Sequence, residues 1–158
     1  MSSIATNGSG AGTYPNTQTP DNIFDGKLST LYTSRGNSSS GSNAIAGLGT
    51  GFHVTVAQCQ ATLNEFRFAT GSRATAEDPM NITVEGSHCS SLASCATWTL
   101  LYQGPSGLET AINRTTFGAK QMIPVPQRFQ NYRFLVTSKR NATQSAYVSY
   151  SEVELYGY

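Results

Sequence analysis

From Gly51 onward the chain alternates apolar and polar positions. In Phe52-His53-Val54-Thr55-Val56, the phenylalanine and valines share one face, and His53 and Thr55 point the other way. This period of two predicts a half-buried strand. Residues 62–69 repeat the pattern, with Asn64, Phe66 and Phe68 on one face and Glu65 and Arg67 on the other. Residues 81–85 alternate around Ile82 and Val84. Residues 97–102 place Trp98, Leu100 and Tyr102 together, and residues 131–138 do the same with Tyr132, Phe134 and Val136. A short strand at 121–125 is limited by Pro124 and Pro126. Residues 147–156 end the chain with Val153 and Leu155 set against Glu152 and Glu154. Between these stretches lie turn-forming segments: an extended lead-in at 1–20, a turn at Asp25-Gly26, a long Ser/Gly/Asn-rich loop at 35–50 and a loop at 70–80. Helical periodicity is lacking. Seven or eight short strands separated by turns predict an all-β, antiparallel β-sandwich in a single domain spanning 1–158.

Composition narrows the function classes. The formal net charge of the 158 residues is +1, which leaves no electrostatic case for nucleic acid or an anionic membrane. Charged residues make up only 12% of the chain. Polarity comes instead from 19 Ser, 19 Thr and 10 Asn, a surface unlike that of a helical bundle. Apolar runs are a few residues long, too short for a transmembrane segment.

Cys89 and Cys95 lie six apart in a polar, loop-like stretch and could close a small disulfide ring in an oxidising compartment. Free thiols and a metal site recruiting His88 are the alternatives. Cys59 has no local partner and reads as a small buried hydrophobe. Asn7, Asn37, Asn81, Asn113 and Asn141 each open an N-x-S/T acceptor site, a mild excess that fits an extracellular, secreted protein. Met1-Ser2-Ser3-Ile4 lacks the charged start and apolar stretch of a signal peptide.

Several segments, taken in order, resemble the discoidin superfamily, which holds the coagulation-factor type C domains and the family-32 carbohydrate-binding modules. Residues 22–32, Asn-Ile-Phe-Asp-Gly-Lys-Leu-Ser-Thr-Leu-Tyr, are similar to its opening motif. Residues 51–56 resemble the strand that follows, and Val84-Glu85-Gly86-Ser87 with Trp98-Thr99-Leu100 its central element. Tyr132-Arg133-Phe134 and Ser151-Glu152-Val153-Glu154-Leu155-Tyr156-Gly157 resemble its closing motifs. The Cys89-to-Cys95 segment departs from the family, being longer than the turn often found there. The resemblance implies a jelly-roll sandwich of about eight strands, extracellular, with a structural calcium ion (Ca2+) and ligand-binding loops at one end.

Calcium takes six to eight oxygens. By resemblance they would come from the Asp25 carboxylate, the Lys27 carbonyl, Thr30 and Glu152; otherwise these residues form an ordinary Asp-Gly turn and a solvated glutamate. For a glycan, the resemblance points to Arg73 and Asp78, whose charged groups can make paired hydrogen bonds to vicinal hydroxyls, with Tyr147 to stack on a sugar face. Arg35, Asn37, Lys139, Arg140 and Asn141 would rim the same end. The bland alternative is that Arg73 and Asp78 pair with each other and pin their loop. Neither His53 nor His88 sits in a nucleophile motif, so no enzyme is expected. The reading is a non-catalytic, calcium-stabilised carbohydrate-binding module or lectin, within a larger extracellular protein or assembly. The alternative is a discoidin-type adhesion or assembly module binding a protein or lipid surface. The small polar tips at Ser38–Ser42 and Thr143–Ser145 favour the sugar.

Overall fold

A computed structural model describes residues 2–6 (as backbone), 12–35, 47–57, 60–90, 95–111, 113–145 and 147–158. Asn7, Asn37 and Cys59, singled out above, lie outside the described residues. Among the described residues, ten strands form two sheets. They are β1 (Ser2–Thr6), β2 (Tyr32–Ser34), β3 (Thr50–Thr55), β4 (Ala61–Thr70), β5 (Pro79–Ser87), β6 (Thr99–Pro105), β7 (Gln121–Met122), β8 (Arg128–Phe129), β9 (Asn131–Lys139) and β10 (Val148–Gly157). One sheet runs β1-β3-β9-β5-β6, and the other runs β2-β10-β4-β7 with β8 also on β4. Every pairing is antiparallel. The only regular helical pieces among the described residues are 3-10 turns at Pro20–Phe24 and Thr75–Glu77. None of these helices is long and apolar enough to cross a membrane.

The sandwich closes because the period-two faces meet as rings. Phe52 stacks on Phe134 across neighbouring strands, with centroids 4.8 Å apart. From the opposite sheet, Phe66 meets Phe134 edge-on at 5.7 Å, and Tyr150 packs against Phe68 at 5.1 Å and Tyr32 at 5.4 Å. Such edge-to-face pairs stabilise by about 0.5–1.5 kcal/mol each beyond their buried area. Two buried hydroxyls tie strands together: Tyr32 donates to the Gly51 carbonyl at 2.6 Å, and Tyr132 donates to the Ala61 carbonyl while accepting from Leu63 N–H at 3.2 Å.

The structure differs from the sequence pattern in several places, and the short strands β2 and β8 have no counterpart in it. The lead-in is not merely extended: residues 2–6 pair with β3, from Ser2 opposite Thr55 to Thr6 opposite Gly51. In β6, Leu101 is buried at 8% exposure and Leu100 is exposed at 52%, the reverse of strict alternation. A bulge is the cause, since Val84 faces Tyr102 whereas the next residue, Glu85, faces Leu100. The strand expected at 121–125 stops at Met122. Finally, His53 lies on the outward face but is covered, 8% exposed beside Arg133.

Candidate functional site

The loops following β2, β4 and β9 emerge at one end of the sandwich, as antiparallel pairing requires. There Tyr147, just before β10, receives two cations. The Arg35 guanidinium lies over its ring at 5.7 Å from the centroid, and the Arg73 guanidinium at 5.8 Å. Arg73 Nε donates to Glu77 at 3.0 Å, and its side chain stays 41% exposed. Burial raises the Glu77 carboxyl above the usual carboxylate range, against the lowering effect of Arg73. Lys139 is buried, is pushed below the usual lysine value by burial, and donates to the Ser145 carbonyl at 2.6 Å. Arg35 Nε is buried without a hydrogen-bond partner among the described residues.

Three of the expected ligand groups are placed differently. Asp78 is 0% exposed. Arg114 grips it with two bonds of 2.8 and 2.7 Å, and Arg140 adds two of 3.3 Å. The partner of Arg73 is therefore Glu77, and Asp78 faces neither Arg73 nor solvent. Arg140 spends its remaining donors on the carbonyls of Leu108, Glu109 and Ala111, fastening the β6–β7 loop. Asn141 folds its own turn, its Oδ1 accepting from Thr143 and Gln144. Asp78 and Arg140 are held by intramolecular partners and Asn141 Oδ1 is taken by its own turn, whereas Arg35, Arg73 and Tyr147 meet one another at the loop end.

The Asp25 turn is held by hydrogen bonds among its own residues and one from the last strand. Lys27 N–H donates to Asp25 Oδ1 at 2.8 Å, and the Thr30 hydroxyl contacts both the Asp25 carboxylate and the Lys27 carbonyl, the latter at 2.9 Å. From β10, Glu152 accepts from Gly26 N–H at 2.7 Å. Glu152 is 5% exposed. Burial is the main reason its carboxyl rises above the ordinary range, and the neighbouring Asp25 carboxylate raises it further. Two carboxylates, a carbonyl and a hydroxyl thus converge where a hard divalent cation would relieve the repulsion. No cluster of three or more His, Cys, Asp or Glu side chains exists among the described residues, so a cation here would lean on neutral oxygens. Cys89 and Cys95 are joined in a disulfide with Cα atoms 5.6 Å apart.

The sequence matches no family model and no curated protein. Solved structures do match. A family-32 carbohydrate-binding module from a family 31 glycoside hydrolase of Clostridium perfringens superposes with a TM-score of 0.70 at 16% identity, covering 98% of this chain and 88% of that one. The family-32 module of C. perfringens NanJ, solved with galactose, gives 0.66 at 10% identity over 98% and 91%. A chitosan-binding module from a Paenibacillus chitosanase/glucanase gives 0.63 at 16% identity over 99% and 94%. The chain has the family-32 module fold.

Of the side chains expected around a glycan, the structure brings Arg35, Arg73 and Tyr147 together; the pairings of Asp78 with Arg114 and of Arg73 with Glu77 are not foreseen in the sequence. Arg114 carries no local signal beyond its place in the Asn113-Arg114-Thr115 sequon. It reaches Asp78 from 36 residues away in the chain.

Proposed function

We propose that the chain is a non-catalytic carbohydrate-binding module, with a structural calcium ion in the Asp25–Glu152 turn and a sugar site at the loop end around Tyr147. The observation that carries this reading is the convergence of Arg35 and Arg73 on the Tyr147 ring. Guanidinium donors can bridge vicinal hydroxyls, and an aromatic body covers the apolar flank of a sugar ring. The solved structures of the same fold support it, one holding galactose and another described as chitosan-binding. The Cys89–Cys95 bridge supports an extracellular setting, where disulfides persist. A glycan array followed by calorimetry tests the site. Arg73→Ala should weaken binding by about 10–100-fold, the loss of a charge-assisted hydrogen bond. Its melting temperature should stay within a few degrees of wild type, because Arg73 is the exposed half of its pair and Lys139 still acts on the buried Glu77 carboxyl. Wild-type protein that binds no glycan, or an Arg73→Ala variant that binds as wild type does, overturns the reading.

A further inference from the structure

The charge at the loop end does not balance. Arg35 and Arg73 lie over the Tyr147 ring, and the buried Lys139 donates to the nearby Ser145 carbonyl. The carboxylate facing this group is Glu77, which pairs with Arg73 and also feels Lys139. Its neighbour Asp78 contributes nothing outward, because Arg114 and Arg140 occupy both its oxygens. The chain as a whole is nearly neutral at +1, so this excess is local. Two guanidinium groups over one tyrosine ring repel each other, and the ring's quadrupole offsets only part of that repulsion. Arg35 also keeps a buried Nε with no partner among the described residues. A neutral sugar would cover this cation without supplying a counter-charge, whereas a carboxylate would meet its planar fork with two parallel hydrogen bonds.

We propose that the sugar taken at Arg35, Arg73 and Tyr147 carries a carboxylate, a uronic acid unit within an acidic glycan. The inference rests on the carbohydrate-binding reading and assigns that site its ligand chemistry. Arg35 holds the carboxylate, Arg73 divides its donors between Glu77 and the sugar, and the Tyr147 ring keeps the two cations at working separation.

Matched sugars isolate the carboxylate. D-galactose and D-galacturonate share every ring hydroxyl and differ at C6, so the intact chain is titrated with each, and with galactose 6-sulfate, by calorimetry or by NMR line shifts. Galacturonate should bind at least tenfold more tightly than galactose, and raising the salt should weaken only the acid. Arg35→Gln should abolish the difference, and Arg35→Lys should restore part of it; circular dichroism melts check that both variants fold. Equal affinity for galactose and galacturonate overturns the proposal while leaving the sugar site standing. Equal gain from the sulfate overturns the choice of carboxylate and leaves a general anion site. A glycan array without any hit, neutral or acidic, fails the underlying reading itself.

Discussion

Replacing Asp78 with alanine separates a structural carboxylate from a ligand-binding one. In the folded protein Asp78 is fully buried and neutralises two guanidinium groups, each 24% exposed at the side chain. Removing it strands both without a counter-charge. Breaking a buried ion pair from one side costs about 3–5 kcal/mol, and the water that still reaches the two arginines should bring this to about 3 kcal/mol. In a domain of this size each kcal/mol moves Tm by about 2–4 °C, so Asp78→Ala should melt roughly 6–12 °C lower. The damage should spread, because Arg140 also carries the carbonyls of Leu108, Glu109 and Ala111. Circular dichroism melts and urea titrations measure the loss. A double mutant adds a sharper check: Arg114→Met in the Asp78→Asn background should recover part of the stability lost by Asp78→Asn alone, since one stranded charge is gone. A melting temperature within 2 °C of wild type for Asp78→Ala, together with lost sugar binding, would refute the structural role and return Asp78 to the ligand.

Calcium bound only by the folded state at a hundredfold excess over Kd stabilises by about 2.7 kcal/mol, so EDTA should lower Tm by several degrees and Glu152→Gln should remove the response; identical melts with and without chelator count against the ion. His53 is held below its ordinary pKa of 6.5, first by burial and then by Arg133. Its neutral form is therefore native and the unfolded chain protonates first as pH falls. Stability should drop below about pH 6.5 by up to about 1.4 kcal/mol per pH unit, and His53→Gln should flatten that slope. A stability gap between the two proteins that is the same at pH 7.5 and 5.5 excludes this linkage.

The features legible in the sequence are those whose physics is local. A strand with one buried face alternates with period two whatever it pairs with, so Phe66 and Phe68 or Phe134 and Val136 announce their strands and their inward faces. The Asp25 turn is similarly self-contained: Lys27 and Thr30 reach a carboxylate two and five positions back. The bulge that exchanges Leu100 for Leu101 depends on the register against β5, which no residue of β6 encodes by itself. The pairing of β1 with β3 likewise depends on a partner some fifty residues away, so the lead-in carries no strong strand signal of its own. Asp78 and Glu77 are adjacent acids in one loop, chemically alike in sequence. The 3-10 turn at Thr75–Glu77 and the arrival of Arg114 and Arg140 from distant loops send Asp78 into the interior and leave Glu77 to Arg73. A carboxylate's role is set by the charges within a few ångströms of it, and those come from the tertiary fold, not from its neighbours along the chain.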